Sequence, residues 1–416
     1  MNALDTDDLL NPFSNTFLLD PYPHYARWRR GDGLCRGVSP DSSGAPCLYA
    51  LGYAYARQLL ADDRLGLEFY RVVPPEHLPR PAPEALPFLS LVQQWMLFRD
   101  PPHHARLRKV FAHAFARAGL SRYVPAIGSI TNALLEEVAD ALRVNLIDAL
   151  ACSLPVLVIA RILGLPEEDF PLLKRWSRAL LRGIDMRRAD ESDDALREAS
   201  DAATQIQEYL SELLARRRRA PGTDLISEIA GSTELTREEL IANCALLLFA
   251  GHETTVNLIG NGSLALLKHP EQLAALRADP SRLGTAIEEL LRYDSPSQIT
   301  FRYAMEPIEL GEYRMQPGEP IGIVIGSANR DETQFEQPDT LDLARAPNRH
   351  LSFGSGRHAC LGSALARLEA EAAFRGMLRM FARIELTGPP RWRPSFGLRG
   401  LLSLPVEVEP AWVPAS

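Results

Sequence analysis

Cysteine is scarce in this sequence, and the few cysteines are not spaced for disulfides or metal clusters. The 416 residues include five cysteines, an odd number, and no two of them form a CxxC pair. Disulfide-rich secreted domains and zinc ribbons need dense or paired cysteines, so both classes are excluded. Reduced, scattered thiols predict a cytoplasmic protein.

Long apolar runs and an excess of basic residues are also missing. The most apolar stretch, residues 149–160, is interrupted by Ser153 and Pro155 and is shorter than the roughly 20 apolar residues that cross a bilayer. The N-terminus is acidic where a signal peptide would be basic. The 45 Lys and Arg residues face 53 Asp and Glu, a formal net charge of −8, which disfavours binding to phosphate backbones. We therefore expect no membrane span and no nucleic-acid partner.

No repeat period or low-complexity linker divides the chain, so a single domain over residues 1–416 is the simplest interpretation. Helical periodicity dominates, and short β-branched pieces occur beside Gly and Pro, which predicts a mainly α fold with small β-sheets. The predicted helices cover residues 100–118, 121–142, 152–163, 195–219, 236–267, 281–293 and 361–381. The predicted strands lie near residues 47–51, 299–303, 308–313, 320–325 and 401–408.

One segment carries too many prolines for a helix or a central strand. Residues 70–95 include the run VVPPEHLPRPAPEALPFL. Long loops of this kind are usually kept for function, so residues 65–98 are predicted to form a lid-like loop over an active site.

A single cysteine, Cys360, lies in the glycine-rich segment HLSFGSGRHACLG, residues 350–362. Glycines permit a tight turn that directs backbone N–H groups to the sulfur, and a helical pattern begins directly afterwards. Both features stabilise a thiolate. A lone cysteine is more often an inert core residue, so the segment by itself leaves both interpretations open.

Two further segments place polar side chains on helix faces. In LLLFAGHETTVN, within a long predicted helix at 235–267, the hydroxyl of Thr254 can bond back to the carbonyl of Ala250 and open a groove. In AIEELLRYDSP, Glu289 and Arg292 are spaced for an ion pair on one helix face. Each pattern alone also fits an ordinary core or surface helix.

Together these segments resemble the cytochrome P450 family, the haem-thiolate monooxygenases. The family pattern FxxGxxxCxG is met by Phe353, Gly356, Cys360 and Gly362, and further matches follow in the family's order from about Asp20 onward. The resemblance implies the cytochrome P450 fold, with haem b (iron protoporphyrin IX) between the long helix and the cysteine-loop helix. Cys360 would be the iron ligand, and the other three motif residues would be structural.

The resemblance also implies roles for the other segments. Glu253 would be the acid of a proton relay, and Thr254 the hydroxyl that holds oxygen. Glu289 and Arg292 correspond to the structural ExxR pair behind the cysteine loop. Arg345 is the candidate for the further arginine that family members often pair with this motif.

Haem carries two propionates, which need cationic partners. In DPPHHARLRKVF, His104 and Arg108 are one helical turn apart and share one direction. By the same family matching, Arg302 and His358 complete the propionate clamp.

The implied reaction inserts one oxygen atom of dioxygen into a C–H or C=C bond of a hydrophobic small molecule, such as a polyketide, terpenoid, steroid or fatty acyl chain. Such reactions are typical of secondary metabolism. A separate ferredoxin and ferredoxin reductase would supply electrons, and Arg106, Lys109 and Arg357 are expected to offer the ferredoxin a basic surface. The expected pocket is mainly apolar, with Gln298 as a polar contact. Its residues are Phe88, Leu89, Leu246, Phe249, Ala250, Gln298, Ile299 and Leu398.

Two other functions stay open at this point. One is a haem enzyme driven by peroxide, which has no need of the relay that Glu253 and Thr254 imply. The other is a non-catalytic relative that keeps the fold and acts in binding or recruitment.

Overall fold

Helices form most of the chain. The computed structural model describes residues 10–11, 14–39, 46–78, 80–184 and 192–411. Its α-helices are α1 (Asn15–Leu19), α2 (Tyr22–Trp28), α3 (Tyr53–Leu60), α4 (Leu86–Gln93), α5 (His103–Phe115), α6 (Arg117–Leu120), α7 (Val124–Ala141), α8 (Ser153–Leu163), α9 (Phe170–Ile184), α10 (Ser192–Arg219), α11 (Leu225–Ile229), α12 (Arg237–Lys268), α13 (Pro270–Ala278), α14 (Leu283–Tyr293), α15 (Ile325–Ala328) and α16 (Ser363–Met380).

The strands are short and form small sheets. They are β1 (Leu34–Val38), β2 (Pro46–Ala50), β3 (Leu65–Gly66), β4 (Arg143–Asn145), β5 (Thr300–Ala304), β6 (Ile308–Leu310), β7 (Tyr313–Met315), β8 (Pro320–Ile323), β9 (Phe381–Leu386), β10 (Arg391–Trp392), β11 (Leu401–Ser403) and β12 (Pro405–Pro410). The five-stranded sheet has the order β1-β2-β8-β5-β3, and the three-stranded sheet has the order β4-β12-β9. Two hairpins, β6-β7 and β10-β11, complete the set.

The long helix α12 lies at the centre of the main hydrophobic core. A capping box starts it: Glu239 N donates to Thr236 Oγ1 at 3.1 Å, and Thr236 N donates to Glu239 Oε2 at 2.9 Å. The helix ends at Lys268, two residues before Pro270. It packs against α8, α9, α10, α14 and α16, so side chains are buried on every face of it. Within the described residues, no helix is long and apolar enough to cross a membrane.

The predicted mainly α fold with small sheets is confirmed, and the predicted helices agree with observed helices to within a few residues. The prediction omitted seven helices outside the proline-rich segment, namely α1, α2, α3, α9, α11, α13 and α15. It also joined β6 with β7 and β11 with β12. It was wrong to exclude helix from the whole proline-rich segment, because α4 lies within it. Pro87 occupies the first turn of α4, where a missing N–H breaks no helical hydrogen bond.

Candidate functional site

The cysteine loop turns sharply between β8 and α16, and glycines make that turn possible. Gly354 and Gly356 have φ values of +66° and +69°, a region that side chains rarely adopt. A Cβ at Gly356 would come within 2.7 Å of the Leu60 carbonyl oxygen. Cys360 N donates to Phe353 O at 2.8 Å, which closes the loop just before α16 begins.

The thiol of Cys360 faces accessible space but is closely surrounded by protein. The residue is exposed in the structure. Burial raises the pKa of the Cys360 thiol, and the Gly362 backbone N–H, Arg108 and Arg367 oppose that rise. These opposing groups favour a thiolate once a cation binds the sulfur. A Cβ at Gly362 would meet no atom within 4 Å, so there is open space beside the cysteine.

Phe353 covers the same loop. Its ring is half-buried, and the Arg367 guanidinium lies 4.4 Å from its centroid. Arg367 in turn pairs with Glu288 at 2.6 Å. The ring is therefore fixed between the loop and α16.

Away from its two ends, α12 has exposed residues in one place. Between Leu240 and Leu266 every residue is buried except Ala250, Gly251 and Thr254, which are partly exposed. Thr254 Oγ1 donates to the Ala250 carbonyl at 3.2 Å, as expected, although the helix stays α throughout. These small residues leave space beside the middle of the helix.

Glu253 is buried next to that space, and one of its two carboxylate oxygens accepts a hydrogen bond. Its Oε2 accepts a hydrogen bond from Arg393 Nη1 at 2.8 Å. Its Oε1 lies 4.0 Å from His252 Nδ1. His252 has no exposed surface, and burial lowers the pKa of its imidazole. Its Nδ1 lies 2.8 Å from Ser177 Oγ, and its Nε2 lies 3.4 Å from Cys152 Sγ.

The four predicted clamp residues come together from three separate parts of the chain. The His104 and His358 rings are 4.2 Å apart between centroids. The pKa of His358 is lowered to about 2. Burial is the largest cause, Arg302 and His104 follow, and Arg357 and Arg108 contribute less. Burial also lowers the pKa of Arg302 to about 10.

No carboxylate pairs with this group, which is called the cation cluster for its two arginines. His104, Arg108, Arg302 and His358 form no ion pair within the part of the chain that the structure describes, and Asp100 acts on Arg302 and His104 only at longer range. His358 Nε2 is buried and has no hydrogen-bond partner there. With their pKa values lowered, the two histidines are uncharged at neutral pH, so Arg108 and Arg302 carry the positive charge that an anionic group would stabilise.

Glu289 and Arg292 form a core pair, although the spacing alone would also fit a surface pair. Both side chains are 0% exposed, and two N–H···O bonds of 2.7 Å join them. Arg345 Nε lies 3.2 Å from both Glu289 oxygens, which is the contact expected of the further arginine. Arg292 also donates to the carbonyls of Asn329 and Pro338. The pair therefore joins α14 to the chain that precedes the cysteine loop.

The residues expected in the substrate pocket divide into two groups. Leu89, Ala250 and Leu398 are partly exposed. Leu246 and Phe249 are buried on α12. The Phe249 ring stacks on Trp95, a residue of the segment predicted to be a lid, with centroids 5.3 Å apart.

The three other residues expected in the pocket contact other parts of the protein. Phe88 is buried beside α9 and α10, and Ile299 is buried in an aromatic cluster on the five-stranded sheet. The amide of Gln298 accepts from Tyr25 Oη at 3.1 Å and donates to Ser295 O at 2.7 Å. The polar atoms of Gln298 are thus engaged by protein groups, and its contact with substrate stays a prediction.

The three cations expected to offer a ferredoxin a basic surface are each paired with a carboxylate. Arg106 donates to Glu239 at 2.8 Å, and Lys109 donates to Glu234 at 2.9 Å. Arg357 pairs with Asp63 at 2.8 Å. Each expected cation has a carboxylate partner from elsewhere in the chain, so this face carries mixed charge.

These residues fit an iron porphyrin. Among the described residues no group of three or more His, Cys, Asp and Glu side chains could hold a metal ion. A metal at Cys360 therefore takes its other ligands from a prosthetic group. The open space beside Gly362, the exposed spot on α12 and the unpaired cations would suit a flat, dicarboxylate group.

Comparison with known proteins agrees with this fit. Residues 170–407 match the family model described as Cytochrome P450. The chain is 41% identical to the biotin biosynthesis cytochrome P450 of Bacillus subtilis (strain 168), over 95% of this chain and 98% of the relative. A solved structure of P450BioI in complex with hexadec-9Z-enoic acid ligated acyl carrier protein has a TM-score of 0.89 and 40% identity, covering 95% of this chain and all of that one. The Bacillus subtilis 168 bacillaene polyketide synthase cytochrome P450 PksS gives a TM-score of 0.87 and 33% identity, covering 96% and 100%.

Proposed function

Because this chain belongs to the cytochrome P450 family of haem-dependent monooxygenases, we propose that it binds haem b through Cys360 and oxidises a hydrophobic chain such as a fatty acyl or polyketide substrate. The supporting observation is the cysteine loop beside a cation cluster with no paired carboxylate, together with the exposed stretch of α12 at Ala250, Gly251 and Thr254. When bound, thiolate-ligated haem supplies the activation of dioxygen.

The chain's own residues have separable tasks in this proposal. His104, Arg108, Arg302 and His358 bind the two propionates. Phe353 and the loop backbone keep water from the sulfur, while Gly356 and Gly362 give the backbone its close approach. The core pair of Glu289 and Arg292 holds this loop in position.

On the opposite side, Glu253 and Thr254 handle protons. Glu253 is a buried carboxylate one residue from the exposed spot, and the Thr254 hydroxyl stands at that spot. A carboxyl and a hydroxyl so placed can hold a proton and pass it toward the exposed spot on α12. Apolar residues such as Leu89, Ala250 and Leu398 would contact the substrate.

The substrate class follows from the relatives. One of them is solved with an acyl chain on a carrier protein, and another belongs to a polyketide synthase. Both ligand types are long and mainly apolar, in agreement with the apolar side chains around the site. We further propose that the electrons come from a separate ferredoxin and its reductase. A ferredoxin would dock on the mixed-charge face around Arg106, Lys109 and Arg357.

The proton-handling residues can be tested by comparing two ways of driving the enzyme. Glu253→Gln and Thr254→Val are expected to lower turnover driven by dioxygen and a surrogate ferredoxin system on the order of a hundredfold. Turnover driven by peroxide should change little, because peroxide already carries the needed protons. Thr255→Val, a buried neighbour, is the matched control.

Products should be measured by mass spectrometry with a panel of fatty acids, acyl carrier protein conjugates and macrolide precursors. Equal loss of both reactions would contradict the relay. Oxidation by peroxide alone would favour the peroxide-driven enzyme, and tight binding without product in either system would favour the binding protein.

A further inference from the structure

Glu253 is held by an arginine that no sequence motif indicates. Arg393 Nη1 lies 2.8 Å from Glu253 Oε2, and the two side chains are 13% and 4% exposed. At this burial, removing one partner leaves an uncompensated charge, whereas an exposed pair would be replaced by water. Arg393 therefore decides both the charge and the orientation of the carboxylate.

An arginine can hold this carboxylate but cannot supply it with protons. The guanidinium stays protonated and has no acceptor. The groups that can exchange protons lie on the other side of Glu253, where His252 Nδ1 is 4.0 Å from Oε1 and is bonded to Ser177. With Oε2 fixed by Arg393, Oε1 is the oxygen left to take up and release the proton.

Arg393 is itself carried by a rigid segment. Residues 393–400 connect β10 to β11, and Arg393 N donates to Gly400 O at 2.9 Å. The same segment is tied to the chain before β5, since Gln298 N donates to Gly397 O and Arg399 N donates to Pro296 O, each at 2.9 Å. The guanidinium is therefore placed by the backbone and not by a mobile loop.

We propose that Arg393 is a positioning residue for oxygen activation, which keeps Glu253 ionised and directs its free oxygen to the proton-exchanging side. The inference rests on the relay role proposed above for Glu253. No electron moves in this step: the ionised Glu253 takes up one proton at Oε1 from the side of His252 and passes it toward the exposed spot on α12, which returns the carboxylate to its ionised form.

The ionisation state of Glu253 can be read without any turnover. Infrared difference spectra of the haem-loaded protein should be recorded for wild type, Arg393→Gln, Arg393→Lys and the double variant Arg393→Gln with Glu253→Gln. We expect Arg393→Gln to show a carboxylic-acid C=O band at neutral pH that the double variant lacks. Wild type and Arg393→Lys should lack this additional band, whereas the band of neutral Glu369 is common to all four proteins and cancels in the differences between them. Absence of the band in Arg393→Gln would overturn the proposal.

Turnover then tests whether this ionisation matters to the reaction. Arg393→Gln is expected to lower ferredoxin-driven product formation on the order of tenfold or more, with peroxide-driven turnover nearly unchanged. Arg393→Lys should restore most of the activity.

The matched control is Arg391→Gln, two residues earlier and exposed on β10, which should behave as wild type. A wild-type rate of ferredoxin-driven product formation in Arg393→Gln would overturn the inference. A wild-type protein that oxidises nothing would count against the proposed function instead, and the infrared result would still decide the role of Arg393.

Discussion

At the scale of single residues, the surroundings of Cys360 determine which species its sulfur is. Burial raises the pKa of the free thiol, so the ionised form needs a bound cation, and one backbone N–H and two arginines are in place to support it. This differs from Cys244, where burial alone raises the pKa to about 12. The two cysteines should therefore respond differently to substitution.

Cys360→His is expected to keep some haem but to lose the long-wavelength Soret band of the reduced, carbon-monoxide-bound form, because imidazole donates less electron density than a thiolate. Absorption spectroscopy of purified, haem-loaded protein measures this. Cys244→Ala, far from the cysteine loop in sequence and buried in the core, should retain the band. A normal band in Cys360→His would remove Cys360 as the ligand.

How much of the site could be predicted depends on how far apart its residues are in the chain. The contact of Thr254 with Ala250 and the pair of Glu289 and Arg292 follow from spacing along one helix, so local pattern was enough. The pairing of Glu253 with Arg393 joins positions 140 residues apart, and no helical or strand period connects them. The hydrogen bond between Gln298 and Tyr25 could not be predicted for the same reason, since the two residues are 273 positions apart.

At the scale of elements, the contact between α12 and α16 contains a buried acid. Glu369 on α16 is 0% exposed, and neither of its carboxyl oxygens has a hydrogen-bond partner in the described structure. Burial raises the pKa of Glu369 to about 8, and Thr255 on α12 opposes the rise. Because the folded-state pKa lies above the ordinary 4.5, the folded protein prefers the neutral acid.

The raised pKa of Glu369 predicts how the free energy of unfolding depends on pH. Stability from the neutral acid is fully present below pH 4.5 and is lost as pH rises from 4.5 to about 8. Glu369→Gln does not ionise, so its advantage over wild type in the free energy of unfolding should grow across that window, reaching about 1 to 4 kcal/mol at the upper end.

Urea unfolding of the haem-loaded proteins at several pH values measures this difference. Glu371→Gln is the control, because Glu371 is on the same helix but is 42% exposed and pairs with Arg375. A Glu369→Gln advantage that does not vary with pH would show that the acid is not neutral in the folded protein.

The elements also show where pattern reading fails. The core helices were predicted because their apolar periodicity extends over many turns, as in α7, α12 and α16. The short helix α4 was missed because the frequency of proline was weighed without the position of Pro87 in the first turn. Whether the segment around α4 acts as a lid remains a prediction.

At the scale of the whole molecule, the cation cluster joins distant parts of the chain. His104 and Arg108 come from α5, Arg302 comes from β5, and His358 comes from the cysteine loop. Arg108 and Arg302 lower the pKa of His104, and these three residues lower the pKa of His358. An anionic group that neutralises the cluster therefore stabilises the contacts among all three regions and is not limited to one helix.

This predicts that haem stabilises the protein through its carboxylates as well as through Cys360. The rise in Tm on loading should be larger for haem than for haem dimethyl ester, whose propionates are uncharged. Arg302→Gln should reduce the difference between the two, because one buried cation is then absent. Arg314→Gln, on β7 outside the cluster, should leave the difference unchanged. Equal Tm values for the two porphyrins in wild type would contradict the clamp.

The order of the five-stranded sheet has a consequence during synthesis on the ribosome. Strand β2, complete by Ala50, pairs in parallel with β8, whose last residue is Ile323. At 5 to 20 residues per second, the early strand waits on the order of tens of seconds for its neighbour to emerge. During that time its edge is open to other partners, so a nascent chain stalled before β8 should depend on chaperones more than the finished protein does.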